Sequence, residues 1–220
     1  MKAVIFDLDG TLIDTAPDIV AAANRMLHNI GLPDLPFETV KSFIGEGVPS
    51  LVERVMKAHD IKGSDRHGDL VQSFLLHYNA ALAQDSRPYP NLLPMLDALK
   101  AEGCALGVCT NKLEAPSRKI LSAFALDAYF DVLVGGDSLA VKKPDPTPLL
   151  HAFHAVSGSR RLFVGDSEVD SETSVRAGIP FALFTEGYRK SAINDVPHNF
   201  SFSDFAELPG IARRAFSGDQ

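Results

Sequence analysis

The chain has 220 residues, of which 45% are hydrophobic and 22% are charged. This composition is typical of a globular protein with a sizeable core, and the length suits one domain or one domain with an insert. The formal net charge of −7 argues against nucleic acid as a partner, because phosphate backbones select basic surfaces. A small anionic substrate is still allowed, since a local cluster of positive charge can oppose the overall sign.

The N-terminal segment, the lengths of the apolar runs and the cysteines predict a cytoplasmic protein without a membrane partner. Met1 leads directly into an apolar strand, with no signal-peptide pattern, and no apolar run has membrane-spanning length. Cys104 and Cys109 lie five residues apart in one predicted strand, so they should point to opposite faces. We therefore expect no disulfide between them.

The first predicted strand, 3–6, is followed at once by Asp7 and Asp9. Burying two carboxylates side by side is costly unless a cation compensates them, so the pattern predicts a metal site, an acid/base site or both. A solvated strand-to-turn junction is the structural alternative. A calcium-binding EF-hand loop is excluded, because Leu12 and Asp18 stand where that loop requires Gly and Glu.

The next seventy residues have helical spacing and no strand pattern. A helix is predicted to begin near Thr15, with Thr15 or Asp14 as the capping residue and Pro17 in its first turn. It should end near Ile30, before Gly31. Two further helical stretches are predicted, 37–59 with an interruption at 43–49, and 65–84. The sequence thus predicts a helical insert over 16–85.

From residue 87 onward, helical and strand-like segments alternate. The predicted strands are 105–109, 132–134, 162–164 and 181–184. The predicted helices are 92–101, 114–124, 146–156, 172–177 and 205–216. Alternating β and α units imply a parallel sheet with helices on both faces. We therefore predict an α/β protein with a doubly wound parallel sheet, in which 1–15 and 86–220 form the core domain and 16–85 form an inserted α-helical cap domain.

Polar side chains follow four of the predicted strands, and in open parallel sheets ligands bind at the carboxyl ends of the strands. They are Asp7, Asp9, Thr110, Asn111, Lys112, Lys143, Asp166 and Asp170. Taken singly, each group also fits a helix cap or a solvated loop. Together they suit phosphoryl transfer: carboxylates for Mg²⁺, a lysine for phosphoryl charge, one carboxylate as nucleophile and another as acid and base.

Four motifs carry a resemblance to a known family. They are Asp7-Leu8-Asp9-Gly10-Thr11, the strand ending at Thr110-Asn111, Lys143-Pro144, and Gly165-Asp166 with Asp170 four residues beyond Asp166. In this order and spacing the chain resembles haloacid-dehalogenase-superfamily phosphatases over nearly its whole length. The resemblance implies a doubly wound core with a helical cap inserted after the first motif.

The resemblance also implies roles for these residues. Asp7 would be the nucleophile and Asp9 the acid/base. Asp7, the backbone carbonyl of Asp9, and Asp166 would hold Mg²⁺, with Asp170 supporting the metal site. Thr110, Asn111 and Lys143 would bind the phosphoryl group.

A narrower resemblance, to bacterial phosphoglycolate phosphatases, lies in four further segments: 43–47, 87–90, 110–112 and 184–188. It implies hydrolysis of 2-phosphoglycolate to glycolate and phosphate by a monomer or homodimer. Phosphatases acting on sugar phosphates or pyrophosphate share several of these segments. A phosphomutase is disfavoured by Ile19, where that branch has a histidine, and a dehalogenase by Asp9, which that branch generally lacks. A binding module without activity is disfavoured because no catalytic group is missing.

Overall fold

The computed structural model describes residues 1–63 and 65–217 and divides the chain into two compact units. The first unit contains Met1–Asp14 and the chain from Pro88 onward, and the second unit is Thr15–Arg87. Residue 64 of the predicted insert and residues 218–220 of the predicted core lie outside the described residues. That the two units are independent domains, a core and a cap, stays a prediction.

The first unit is built on a six-stranded parallel sheet. The strands of the chain, numbered in order, are β1 Lys2–Phe6, β2 Ile13–Asp14, β3 Arg87–Pro88, β4 Cys104–Cys109, β5 Val132–Val134, β6 Arg160–Gly165, β7 Phe181–Phe184 and β8 Phe200–Phe202. The order across the large sheet is β5-β4-β1-β6-β7-β8, and β2 and β3 form a separate two-stranded sheet. All pairings within the large sheet are parallel. The predicted doubly wound parallel sheet is confirmed.

The apolar run after Lys2 explains why β1 lies at the centre of this sheet. Ala3, Val4, Ile5 and Phe6 are all fully buried, so both faces of the strand are covered by protein. β1 pairs with β4 on one side and with β6 on the other. The strand order therefore reverses at β1, and a crevice forms at such a reversal beyond the carboxyl ends of the strands.

Helices flank the strands along the chain. They are α1 Ala16–His28, α2 Phe37–Lys41, α3 Val48–Ala58, α4 Asp65–Ala80, α5 Leu92–Ala101, α6 Glu114–Ala123, α7 Thr147–Ala155, α8 Glu168–Ala177 and α9 Leu208–Ser217. The predicted interruption between α2 and α3 is confirmed. Among the described residues, no helix is long and apolar enough to cross a membrane.

Several predicted boundaries were wrong. α8 begins at Glu168 instead of residue 172, because Ser167 and Asp170 form a capping box that starts the helix earlier. α4 ends at Ala80 instead of residue 84. Residues 205–207, predicted as the first turn of α9, form a 3₁₀ turn. Strands β2, β3 and β8 were not predicted.

The second unit, which contains α1 to α4, is tied together by a buried carboxylate in the first turn of α1. Thr15 occupies the N-cap position, but no side-chain capping hydrogen bond forms there, contrary to expectation. Asp18 instead accepts hydrogen bonds from the Asp85 N–H at 2.9 Å, the Ser86 N–H at 3.1 Å and the Ser86 hydroxyl at 2.5 Å. These bonds join the two ends of the unit in space.

Candidate active site

The first strand delivers Asp7 and Asp9 to the carboxyl edge of the sheet. The Asp7 N–H donates to the Val164 carbonyl at 2.9 Å, which continues the pairing of β1 with β6 by one residue. The chain then turns tightly, with the Leu12 and Ile13 N–H groups both donating to the Leu8 carbonyl. This turn begins the loop that leads out of the sheet, so the Asp7 and Asp9 side chains stand at its base.

Three carboxylates meet at this edge. Asp7 from β1, Asp166 just after β6, and Asp170 in the first turn of α8 each place a carboxylate oxygen within 4.8 Å of the others. All three residues are buried, with Asp170 wholly inaccessible. Because oxygen ligands at such spacing suit a hard divalent cation, this cluster could hold a metal ion.

One lysine lies within the cluster. The Lys143 ammonium is 2.9 Å from Asp7 Oδ1 and 2.5 Å from Asp170 Oδ1, and the residue is only 2% exposed. Burial lowers the pKa of Lys143, but the carboxylates of Asp170 and Asp7 outweigh it and raise the pKa above its usual value. Lys143 therefore carries a positive charge in contact with two of the three carboxylates.

The carboxylates outnumber the positive charge that the chain supplies there. Burial, followed by the charge of Asp170, raises the pKa of Asp7 to about 6 in spite of the nearby Lys143 ammonium. Burial and the charges of Asp170 and Asp7 also raise the pKa of Asp166. Both shifts have the sign expected of a site built to receive a further cation.

Two hydrogen bonds fix the position of the Asp166 carboxylate. Thr11 donates its hydroxyl proton to Asp166 Oδ1 at 2.7 Å, and the Tyr188 N–H donates to Asp166 Oδ2 at 2.6 Å. The backbone at Gly187 passes so close that a Cβ atom there would lie 2.3 Å from the Asp166 Cβ. A larger residue at 187 would therefore displace the carboxylate.

Asp170 is held by the helix that it helps to start. Its Oδ2 accepts from the Ser167 hydroxyl at 2.6 Å and the Ser167 N–H at 3.1 Å, while Oδ1 faces Lys143. The resemblance described above implies that Asp170 supports the metal site. In the structure one of its oxygens belongs to the capping box and the other to Lys143.

Thr110 and Asn111 follow β4 and are both buried. The Asn111 side chain donates an N–H to the Lys143 carbonyl at 3.0 Å, so this loop is joined to the loop that carries Lys143.

Cys109, the last residue of β4, is fully buried, and burial raises the pKa of its thiol to about 12. Cys104 and Cys109 are free thiols, as expected.

Asp9 has a partner to which the sequence analysis gave no role. The Lys112 ammonium is 3.1 Å from both Asp9 carboxylate oxygens, and the two side chains are 6% and 14% exposed. Asp9 does not join the three-carboxylate cluster through its side chain. The only signal for Lys112 in the sequence was its position beside Thr110 and Asn111.

Thr11 and Tyr188 were missed as partners of Asp166 because one contact is long-range and the other uses the backbone.

The charge balance shows what group the site fits. Four carboxylates, those of Asp7, Asp9, Asp166 and Asp170, face the two ammonium groups of Lys112 and Lys143, so with all six ionised the formal charge is −2. Such a site would repel a phosphate dianion unless a cation were added. One divalent ion would balance this charge, and oxygen-only ligands match Mg²⁺ better than softer metals.

Comparison with known proteins identifies the family of the chain. The family model for haloacid dehalogenase-like hydrolases matches residues 4–184, which include every predicted site residue. The chain belongs to the haloacid dehalogenase-like hydrolase family. It is therefore an enzyme of the hydrolase class, as the sequence analysis expected.

Several relatives of the chain have names more specific than that of the family. The chain is 45% identical over 215 residues to a phosphoglycolate phosphatase of Cereibacter sphaeroides, with 97% of this chain and 99% of the relative covered. It is 39% identical over 210 residues to a phosphoglycolate phosphatase of Aquifex aeolicus, covering 94% of this chain and 95% of that one. A crystal structure of a predicted phosphoglycolate phosphatase from Haemophilus somnus superposes with a TM-score of 0.90 at 33% identity, covering 96% and 97% of the two chains. The expected resemblance to bacterial phosphoglycolate phosphatases is confirmed.

Proposed function

We propose that this chain is a Mg²⁺-dependent phosphatase that hydrolyses 2-phosphoglycolate to glycolate and phosphate. The observation that carries the proposal is the position of Asp7, a carboxylate at the sheet edge held by Lys143 and bordered by Asp166 and Asp170. The names of the relatives support this substrate, because the sequence matches to them extend over almost the full length of both chains. The free buried cysteines are consistent with action in the reducing cytoplasm.

Two sets of residues would bind the metal ion and the phosphoryl group. Asp7, Asp166 and the Asp9 carbonyl would hold Mg²⁺, with Asp170 beside them, and the bound ion would neutralise charge on the phosphoryl oxygens. Thr110, Asn111 and Lys143 would bind the phosphoryl group. Lys143 suits this task because it already contacts the attacking carboxylate at 2.9 Å, so it draws phosphoryl oxygens and Asp7 to the same place.

The reaction would take place in two displacements. In the first, Asp9 must enter the step as the carboxylic acid. An Asp7 carboxylate oxygen bonds to phosphorus as the ester P–O bond breaks, and Asp9 gives its proton to the departing oxygen. In the second, Asp9 takes a proton from a water molecule whose oxygen attacks phosphorus. The bond between phosphorus and Asp7 then breaks, and its electron pair returns to the Asp7 carboxylate.

Replacement of the nucleophile tests this mechanism. Asp7→Asn should lower kcat on 2-phosphoglycolate by at least about 10³-fold, because an amide oxygen is a poor nucleophile and a weaker metal ligand. Acid-quenched wild-type enzyme should yield a peptide phosphorylated at Asp7, and the variant should not. Asp127→Asn, an exposed change of the same kind, is the control. Near wild-type turnover by Asp7→Asn would disprove the aspartyl-phosphate route.

The substrate is tested separately with a panel. The panel contains 2-phosphoglycolate, several sugar phosphates, pyrophosphate and a hexose 1-phosphate, with the last also assayed for mutase product. The highest kcat/KM should belong to 2-phosphoglycolate. A higher value for another compound would transfer the substrate assignment to that compound and leave the phosphatase mechanism in place.

A further inference from the structure

Lys112 is a second buried lysine at the site, and it is firmly positioned by its backbone. Its carbonyl accepts from the Gly136 N–H at 2.8 Å, and its own N–H donates to Thr110 Oγ1 at 3.3 Å. A Cβ atom at Gly136 would lie 2.4 Å from the Asn111 carbonyl oxygen, so the two loops approach as closely as glycine allows. The ammonium of Lys112 thus projects from a fixed base.

The position of this ammonium differs from that of Lys143. Lys143 contacts Asp7 and Asp170, where phosphoryl oxygens would be bound, whereas Lys112 contacts both oxygens of Asp9 at 3.1 Å. Asp9 is the residue assigned to protonate the departing oxygen. Lys112 therefore lies at the end of the site where the leaving group would be.

The reach of Lys112 can be compared with the size of a leaving group. A proton donor lies within about 3 Å of the atom that it protonates, so the departing oxygen would lie no more than about 6 Å from the Lys112 ammonium. In an ester of a 2-hydroxy acid, ordinary bond lengths place a carboxylate oxygen about 3 Å from the departing oxygen. The remaining distance, about 3 Å, is that of a charge-assisted hydrogen bond.

We propose that Lys112 binds the carboxylate of the leaving group and selects phosphate esters of 2-hydroxy carboxylic acids. The inference rests on the proposed phosphatase function and specifies which feature of the substrate the first unit recognises. Such a contact is worth more in a buried position than in water, and the Lys112 side chain is only 6% exposed. Lengthening the acid by one carbon would move its carboxylate out of alignment with a lysine whose base is fixed.

The test compares 2-phosphoglycolate with ethyl phosphate, which has the same two-carbon skeleton without the carboxylate. The ratio of their kcat/KM values is the measured quantity. Loss of the ion pair to Asp9 alters the hydrolysis of both esters, so the ratio removes the part of that effect that the two esters share. Lys112→Met should reduce the ratio about 10- to 100-fold, the value expected for one hydrogen bond between charged groups. Lys112→Arg should keep most of it, because it keeps the charge.

Two controls complete the experiment. Lys119→Met removes an exposed lysine from α6 and should leave the ratio at its wild-type value. Wild-type enzyme should prefer 2-phosphoglycolate to the phosphate ester of 3-hydroxypropanoate, and Lys112→Met should lose this preference as well.

The outcomes separate this inference from the function on which it rests. An equal fall of both kcat/KM values in Lys112→Met would show that Lys112 acts only through Asp9 and would overturn the inference. A wild-type ratio near one, in an enzyme that hydrolyses both esters, would overturn it too and leave the phosphatase intact. If wild-type enzyme hydrolysed no phosphate ester, the proposed function would fall, and the inference with it.

Discussion

Lys143 is the side chain on which the carboxylate cluster depends, because it contacts two of the three buried carboxylates. Breaking a buried ion pair by removing one partner is strongly destabilising, since the remaining charge has no compensation. Lys143→Met should therefore lower the free energy of unfolding by about 3 kcal/mol in metal-free buffer, measured by urea denaturation. Its activity should fall as well, because Lys143 is the ammonium that contacts Asp7.

The adjacent lysine offers a matched control for this substitution. Lys142 is exposed, so Lys142→Met should change the free energy of unfolding by less than about 0.5 kcal/mol. Equal stability of Lys143→Met and Lys142→Met would contradict the view that the lysine compensates the buried carboxylates.

The positions of single site residues could be predicted from the sequence, and their catalytic and metal-binding roles stay predictions. Asp7, Asp166 and Asp170 were each identified from the positions that follow predicted strands, and the structure brings their carboxylates together. Pairings between side chains were not predictable in the same way. The contact of Lys112 with Asp9 joins residues 103 positions apart, and no local pattern in the sequence encodes it.

At the scale of elements, α8 shows how one residue can serve both fold and site. Asp170 is the third residue of the helix, where it completes a capping box with Ser167, and it also faces Lys143. A helix cap was an alternative for this segment in the sequence, but the helix was predicted from periodicity to begin at residue 172, four residues late. The pattern Ser-x-x-Asp belongs both to a capping box and to the fourth sequence motif. The spacing of apolar residues does not show which of the two roles these residues have.

Ser167 makes this dual role testable. Ser167→Ala should lower the free energy of unfolding by about 1 kcal/mol, because the helix loses its N-cap hydrogen bond. It should also lower kcat several-fold, since the hydroxyl no longer holds Asp170 Oδ2 at 2.6 Å. Urea denaturation and steady-state kinetics measure the two effects.

A second capping box, far from the site in sequence, provides the comparison. Asp204→Ala removes the capping side chain of the 3₁₀ turn Phe205–Glu207 and should cost similar stability without changing kcat. If both variants left kcat unchanged, Ser167 would have only a structural role.

Short strands account for most of the remaining differences between predicted and observed elements. β2 and β3 have two residues each, which is too short for any pattern. β8 has three residues, like the predicted β5, but its middle residue is the polar Ser201, whereas all three residues of β5 are apolar. β1 was predictable because four consecutive apolar residues precede Asp7 and strands buried on both faces have such runs. The order of the strands across the sheet was not predictable from the sequence, because it depends on contacts between distant segments.

At the scale of the whole molecule, the excess of buried carboxylates should couple stability to pH and to metal. The pKa of Asp7 rises from 3.8 to about 6 on folding. The folded state therefore holds this proton more tightly than the unfolded state, so Asp7 contributes stability below about pH 4 that is lost as the pH rises through about 6. The raised pKa of Asp166 acts in the same direction.

Metal-free protein should thus lose stability as the pH rises from about 5 to about 7.5. Mg²⁺ should restore this stability mainly at the higher pH, because protons compete with the ion for the same oxygens at the lower pH. The measurement is Tm in excess chelator and in excess Mg²⁺ at both pH values, and the rise in Tm with Mg²⁺ should be clearly larger at about pH 7.5. Asp7→Asn cannot ionise at this position, so it should be less sensitive to pH and respond less to Mg²⁺. An equal rise in Tm at both pH values would show that these carboxylates do not bind the metal, because a site made of groups with raised pKa values must bind more weakly when they are protonated.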